Sequence, residues 1–169
     1  MLASSCNFQK EENIYPEVNP VDVNATNPTV KLYTNLFQRL DNGVMIGHQD
    51  DLLYGNLWYA EDGRSDMKSV CGEYPAVFGW DLGKIETGSV LNADSVEFEY
   101  MKTQIKKAHR MNGISTFTWN ADNPATNGNA FDCSGTSVVN SVLPGNENNA
   151  KYLGYLDNLA DFFLSLKDD

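Results

Sequence analysis

The sequence predicts an α/β fold in which parallel strands alternate with helices. Three runs, "VMIG", "PAVFGW" and "ISTFTW", are short and almost continuously apolar, as is typical of strands buried on both faces. A segment with helical character follows each run, and parallel neighbours require such long crossovers. The chain is therefore expected to form a parallel sheet of β/α units.

The first predicted helix, at "VKLYTNLFQRLDNG", precedes the first strand. Leu32, Leu36 and Leu40 follow one another at i, i+4 and i+8, and Asn42-Gly43 provides a stop signal. The next run, "VMIGHQDD", predicts a buried strand that ends in polar residues.

The second strand is predicted at "PAVFGWDLG", after a mixed loop and helical segment, "DLLYGNLWYAEDGRSDMKSVCGEY". Asp94 is predicted to open the next helix, with Glu97 as its capping-box partner. His109, within this helix, is interpreted as a surface or packing residue. One apolar stripe is predicted to face the core: Phe98, Met101, Ile105, Ala108 and Met111.

The third strand is predicted at "ISTFTW" and the last helix near the carboxyl terminus. Between them runs a loop rich in Asn, Gly and Ser, with a short helical piece at "TSVVNSVL". The final segment, "NAKYLGYLDNLADFFLSLKDD", predicts an amphipathic helix. Its expected apolar stripe contains Tyr152, Leu156, Leu159, Phe163 and Leu166.

Charge and cysteine content exclude several function classes. The chain has 12 basic and 23 acidic residues, a net charge of −11, and no basic cluster, which argues against a nucleic acid partner. The three cysteines lack C-x-x-C spacing and the two histidines are far apart, so no metal site and no cofactor is predicted. Cys71 and Cys133 fit either a disulfide or two buried free thiols.

The amino-terminal segment, residues 1–28, is predicted to be a flexible tether. "LASSC" resembles the end of a bacterial lipoprotein signal peptide, in which small residues precede a cysteine that becomes lipidated. This interpretation predicts membrane attachment through a lipid on Cys6 and an extracellular, periplasmic or cell-surface location. The alternative is an ordinary disordered terminus. No stretch approaches the length of a transmembrane helix.

The strand ends carry the residues that suggest a function. Tryptophans beside amides and carboxylates suit a sugar-binding groove, because flat rings pack on pyranoses while polar groups bond hydroxyls. The alternative is that Trp80 and Trp119 belong to the core and that the Asx residues form turns, Asn123-Pro124 above all. Glycoside hydrolysis needs two carboxylic residues, and four are available: Asp50, Asp81, Glu86 and Asp122.

Three motifs, "GHQDDLLYGNLW", "PAVFGWDLGKIE" and "GISTFTWNADNP", together resemble the amino-terminal half of glycoside hydrolase family 26, typified by bacterial endo-β-1,4-mannanases. The resemblance runs from about Thr29 to Asp169. It implies the first three β/α units of a TIM (β/α)8 barrel, hydrolysis of β-mannan with retention, and no cofactor. On this basis residues 29–169 are expected to be the amino-terminal part of the barrel.

The resemblance also implies which site residues to expect. The family carries its acid/base glutamate after the fourth strand and its nucleophile after the seventh, and neither strand is predicted in this sequence. No residue is therefore assigned as catalytic, and the four carboxylates lose that candidacy. The expected substrate-binding residues are His48, Asp50, Trp80, Asp81, Glu86, Trp119, Asn120 and Asp122.

One of these positions departs from the family pattern. The family commonly has Trp-His-x-x-Asn-Pro where this sequence has Trp119 followed by Asn120. Asparagine keeps a donor and an acceptor but cannot become charged, so contact with substrate is retained without a role in tuning a catalytic pKa.

Three hypotheses for function stay open at this point. The first is that the chain is a fragment of a retaining endo-β-1,4-mannanase. In this case β-mannan is its ligand, and the fragment alone is inactive. The second is a mixed-linkage β-glucanase or a xylanase of the same family, since one wall of the groove does not fix the sugar. The third, from another class, is a non-catalytic carbohydrate-binding remnant.

Overall fold

A computed structural model describes residues 19–135 and 137–167, apart from the side chain of Asp41. Cys6 and most of the predicted tether lie outside the described residues. The described chain forms two compact units, one up to Val44 and one from Met45. The elements in chain order are α1 (Asn27–Arg39), β1 (Gly47–Gln49), β2 (Tyr54–Gly55), β3 (Trp58–Tyr59), α2 (Asp66–Cys71), β4 (Val77–Asp81), α3 (Phe98–Arg110), β5 (Ile114–Thr118), α4 (Val138–Ser141) and α5 (Asn149–Ser165).

The first unit contains α1, which confirms the first predicted helix. Thr26 caps its amino terminus by accepting a hydrogen bond from the Thr29 backbone N–H, and Pro28 occupies the first turn, where its missing donor costs little. A short 3-10 turn, Leu40–Asn42, ends at Gly43, whose φ of 115° suits glycine. The helix begins at Asn27, so it includes the last two residues of the predicted tether, which was expected to end at residue 28.

The second unit is built on a parallel sheet in the order β1-β4-β5. This confirms the predicted parallel arrangement of the three apolar runs. β1 is shorter than predicted, since Val44, Met45 and Ile46 lie before the strand and not in it. These three residues are exposed, so the apolar run is not buried as predicted. Within the described residues β1 pairs only with β4.

The strand register divides the side chains between two faces of the sheet. Aligned residues in parallel strands share a face, so His48 and Phe78 lie on one side, as do Trp80 and Phe117. Phe78 and Trp80 stack with ring centroids 6.2 Å apart and pack in the core with α3. This side of the sheet is therefore the helix-facing side.

The helix-facing core comes from β4, α3, α5, the loop between β4 and α3, and the segment that follows β1. Its apolar buried members are Leu52, Leu53, Phe78, Trp80, Leu82, Ile85, Val96, Phe98, Met101, Ile105, Ala108 and Phe162. The α3 stripe is confirmed, with Met111 packed against the cluster, and His109 is exposed as predicted.

The buried face of α5 differs in part from the predicted stripe. Tyr155 and Phe162 are the buried residues of this helix, whereas Leu156 and Phe163 are partly exposed. The helix carries apolar residues on two adjacent faces, so periodicity alone could not choose between them. Packing against Phe98, at a ring distance of 5.8 Å from Phe162, selects the observed face.

The mixed segment after β1 contains a β2-β3 hairpin that the sequence did not predict. The Asp66 carboxylate, at the start of α2, accepts hydrogen bonds from the Asn56 backbone N–H and the Trp58 indole N–H, each at 2.7 Å. These two bonds lower the pKa of Asp66 below its usual value, and the bond from Trp58 contributes more than the bond from Asn56. The hairpin is thereby joined to α2 through one charged side chain.

The predicted capping box at Asp94 and Glu97 is wrong, because α3 begins only at Phe98. Asn92 instead organises the preceding loop. Its side-chain oxygen accepts from the Asp94 and Val96 backbone N–H groups at 2.9 Å, and its amide donates to the Asp81 carbonyl. Buried Asn92 thus links the end of β4 to the entry of α3.

Asn92→Ala is expected to lower the free energy of unfolding by about 2–4 kcal/mol, because three hydrogen bonds are lost and the buried Val96 N–H loses its acceptor. Urea titration followed by circular dichroism measures this. Thr103→Ala, at an exposed position of α3, is the control and is expected to change stability by less than about 0.5 kcal/mol. Equal stability of the two variants would contradict the linking role of Asn92.

Candidate functional site

The carboxyl ends of the three parallel strands meet at one edge of the sheet, as the sequence predicts. Asp50 follows β1 directly, Asp81 ends β4, and Trp119 and Asn120 follow β5. In parallel β/α structures such an edge is the usual place for ligands. The predicted site residues therefore converge on one region, although some of them are buried and others are exposed.

Asp50 links the ends of β1 and β4. Its backbone N–H donates to the Gly79 carbonyl at 2.9 Å, and its carboxylate accepts from the Asp81 backbone N–H at 3.3 Å and from the Gln49 amide at 3.4 Å. Burial raises its pKa to about 6, with the charges of Asp81 and Asp94 adding to the effect. Only 1% of the surface of Asp50 is exposed, so this residue lies beneath the surface of the site and supports the strand ends.

Glu86 links the loops that follow β4 and β5. One carboxylate oxygen accepts from the Trp119 indole N–H at 2.9 Å, and the other accepts from the Asp122 backbone N–H at 2.8 Å. The Asn158 amide of α5 donates to its carbonyl at 2.9 Å. The residue is 3% exposed and both its oxygens are engaged, so the geometry indicates an anchor for Trp119 and Asp122.

Lys84 is a site-region residue that the sequence interpretation missed. Its ammonium lies 2.7 and 2.8 Å from the two carboxylate oxygens of Asp122 and retains 40% side-chain exposure. Its φ of 79° is unusual for a residue with a side chain. The pair adds a second bridge, beside Glu86, between the loops after β4 and β5.

The loop after β5 combines exposed and structural amides. Asn120 is exposed, so its amide is available to a ligand, while Trp119 is partly buried against the core. Asn123 is buried, accepts from the Ala125 N–H at 2.9 Å and donates to the Asp132 carbonyl at 2.9 Å. The turn-forming interpretation is confirmed for Asn123.

Trp80 and His48 do not lie where the sequence placed them. Trp80 is fully buried on the helix-facing side, because β4 continues to Asp81 and the tryptophan therefore has the parity of Phe78. Its predicted contact with substrate is corrected to a role in the core. His48 shares that side, and its Nδ1 lies 3.5 Å from a carboxylate oxygen of buried Asp51.

The opposite side of the sheet is the side that faces the interior in a TIM barrel. Gln49, Gly79 and Thr116 are aligned there, as are Asp81 and Thr118. Asp81 and Thr118 are the last residues of β4 and β5, so of these residues they lie at the strand ends where the site is expected.

Tyr54 and Asp94 extend the site beyond β1, and neither was predicted. The Tyr54 hydroxyl donates to the Asp94 carboxylate at 3.1 Å. Burial, followed by the charge of Asp50, raises the pKa of the Tyr54 phenol far above its usual value, so it stays a neutral donor. This contact joins the segment after β1 to the loop before α3.

A cavity of about 300 Å³ lies elsewhere in the second unit. It is formed between the loop after β4, the start of α3 and the middle of α5, and the residues that line it include Ile85, Val90, Phe98, Lys102, Asn158 and Phe162. Neither Asp50 nor Asp122 lines it. The cavity is therefore separate from the strand-end cluster.

No group of three or more His, Cys, Asp or Glu side chains among the described residues could hold a metal ion. Cys71 and Cys133 are free thiols, both exposed and not buried as expected for unpaired cysteines. No helix in the described part of the chain is long and apolar enough to cross a membrane.

The sequence profile of glycosyl hydrolase family 26 matches residues 21–169. The chain belongs to this family. The match begins within the segment predicted as a tether, and it confirms the resemblance that the three strand-end motifs carry. The expected fold is confirmed as well: the chain is part of a family 26 TIM barrel.

Relatives of this family 26 chain are longer than the chain itself. A mannan endo-1,4-beta-mannosidase from Bifidobacterium adolescentis is 30% identical over 156 residues, which are 85% of this chain and 14% of that protein. A GH26 beta-mannanase structure from Bacteroides ovatus is 43% identical, with a TM-score of 0.82, over 86% of this chain and 42% of that one. An endo-beta-1,4-mannanase structure from Cellulomonas fimi is 31% identical, with a TM-score of 0.75, over 88% and 34%.

Glu86→Gln is expected to displace Trp119, because glutamine offers one acceptor oxygen where two N–H donors now need two. The Trp119 indole N–H resonance is expected to move while those of Trp58 and Trp80 stay in place, with a loss of about 1–3 kcal/mol in unfolding free energy. Glu99→Gln, at an exposed position, is the matched control. An unmoved Trp119 resonance would show that Glu86 does not position the ring.

Asp50→Asn is expected to change the pH dependence of stability. The folded-state pKa of Asp50, about 6, lies above the usual 3.8, so the folded protein binds more protons than the unfolded chain between these values. Asp50 therefore makes stability fall as the pH rises from about 4 to about 6, by roughly 2–3 kcal/mol. Parallel urea titrations across this range should show a shallower fall for Asp50→Asn, and identical slopes would contradict the assignment.

Proposed function

We propose that this chain is part of a retaining endo-β-1,4-mannanase of family 26 and forms one wall of its substrate groove. The observation that carries the proposal is the cluster at the carboxyl ends of β4 and β5, where Asp81, Asn120 and Asp122 accompany Trp119. In TIM barrels the ligand site lies at this edge. Amide and carboxylate groups beside an aromatic ring suit a polysaccharide.

The names of the relatives support β-mannan as the substrate. The relative from Bifidobacterium adolescentis is a mannan endo-1,4-beta-mannosidase, and the structures from Bacteroides ovatus and Cellulomonas fimi are mannanases. Identity of 30–43% over more than four-fifths of this chain supports carrying the substrate class over. Of the predicted contacts, Asp81 and Asn120 are best placed to bond sugar hydroxyls. Asp50 and Glu86 act by holding the strand ends, and Asp122 is paired with Lys84.

We propose that the 169 residues carry neither catalytic glutamate. The family resemblance assigns these to the fourth and seventh barrel strands, and the parallel sheet in the described part of the chain has three. The carboxylates nearest the site have structural roles: Asp50 and Glu86 are buried, and Asp122 forms an ion pair with Lys84. The chain alone is therefore expected to bind mannan without cleaving it.

A lipid on Cys6 and a location at the cell surface are a further part of the proposal. Its support is the "LASSC" box and the polar run after it. Mass spectrometry of the peptide that contains Cys6, isolated from the organism that produces the protein, tests this directly. A diacylglyceryl adduct is expected, and an unmodified thiol would contradict it.

Affinity electrophoresis with several polysaccharides tests the proposed substrate. Mannan in the gel is expected to retard the chain more than mixed-linkage β-glucan or xylan does, and no reducing sugar should appear on incubation with any of them. Stronger retardation by glucan or xylan would favour those activities. Release of reducing sugar from mannan would contradict the absence of the catalytic pair, and no retardation by any polysaccharide would contradict the groove.

A further inference from the structure

Lys84 adopts a strained backbone conformation shortly after the end of β4. Its φ of 79° and ψ of −5° lie in the left-handed region, which is unfavourable for a residue with a side chain but not for glycine. The preceding residue is Gly83, yet the left-handed position belongs to the lysine. Strain of this kind is concentrated at functional sites, so the side chain of Lys84 requires an explanation.

The turn around Lys84 fixes this conformation. The Lys84 carbonyl accepts from the Thr87 backbone N–H at 3.1 Å and from the Thr87 hydroxyl at 2.8 Å. The Ile85 N–H donates to the Leu82 carbonyl at 3.1 Å. The lysine side chain therefore leaves the backbone from a defined position.

The Lys84 ammonium is oriented but not fully used. It donates to both carboxylate oxygens of Asp122, at 2.7 and 2.8 Å, and the Asp122 backbone N–H is itself held by Glu86. An ammonium has three N–H donors, so at least one is left for a ligand, and the side chain is 40% exposed. An ion pair at such exposure adds little stability, so the pair alone does not account for the strain.

We infer that Lys84 is a substrate-binding residue whose ammonium donates a hydrogen bond to a hydroxyl group of the polysaccharide. The inference rests on the proposed function, since it adds a contact to the proposed groove wall. Lys84 lies on the loop after β4 and Asp122 on the loop after β5, at the same edge of the sheet as Asp81 and Asn120. Because Asp122 balances the charge of Lys84, the pair suits uncharged sugar hydroxyls better than an anionic ligand.

NMR titration of the whole chain with mannohexaose tests the inference. Lys84→Gly and Lys84→Ala are each expected to weaken binding about 3- to 10-fold, the effect of losing one hydrogen bond to a charged donor. Both variants lose the ion pair, but only glycine adopts a φ of 79° without strain. Lys84→Gly should therefore unfold at a higher urea concentration than Lys84→Ala, and the reverse order would overturn the strain argument.

Lys102→Ala is the matched control. Lys102 also forms an ion pair at 2.7 Å, with Glu99, but it lies on α3 beside the separate cavity. Its replacement should leave the affinity for mannohexaose unchanged. A loss equal to that of Lys84→Gly would show that removing any paired lysine weakens binding, and would overturn the specific role of Lys84.

Lysine modification distinguishes direct contact from an effect through Asp122. The wild-type chain is treated with acetic anhydride with and without saturating mannohexaose, and mass spectrometry measures the rate at each lysine. Mannohexaose is expected to slow the acetylation of Lys84 and leave the rate at Lys102 unchanged. Equal rates at Lys84 in both conditions would overturn direct contact, even if Lys84→Gly binds weakly.

The outcomes separate this inference from the proposed function. Binding that Lys84→Gly leaves at the wild-type affinity would overturn the role of Lys84, and the proposed mannan groove would stand. Absence of binding by the wild-type chain would overturn both.

Discussion

The parallel register that aligns Gly79 with Gln49 and Thr116 determines which side chains of the sheet face the helices of the second unit. It places Phe78 and Trp80 on the helix-facing side, where α3 and α5 cover them, and it leaves the opposite side to polar and small residues. Because side chains alternate strictly along a strand, a slip of one residue would exchange the two sets and bury the polar side. The composition of the helix-facing core is therefore a consequence of this alignment.

Buried carboxylates then fix the strand ends to one another. Asp50 joins β1 to β4, and Glu86 joins the loop after β4 to the loop after β5. Placing a carboxylate out of water is costly unless N–H donors surround it. Both residues accept from N–H groups, but the raised pKa of Asp50 indicates that its donors offset this cost only in part. Their role explains how Asn120 can be exposed and still well positioned. Lys84 and Asp122 add a more solvated bridge, whose contribution to stability should be smaller.

The sequence was sufficient for the fold class, the three strands, the α3 stripe and the region of the site. It failed where the answer depends on packing partners. Trp80 was assigned to the site because the sequence does not reveal that β4 continues to Asp81, which places Trp80 on the helix-facing side. The buried face of α5 was predicted only in part because the helix carries apolar residues on two adjacent faces. The anchoring role of Glu86 was missed because it involves Trp119, which lies 33 positions away along the chain.

The carboxyl ends of β4 and β5 are proposed to form one wall of a carbohydrate groove. Residue-specific NMR during titration of the chain with mannohexaose tests this most directly. The largest amide shifts are expected at Asp81, Trp119 and Asn120, with little change at Phe78 and Met101 in the helix-facing core. Shifts confined to the cavity between α3 and α5 would contradict the claim and move the carbohydrate site there.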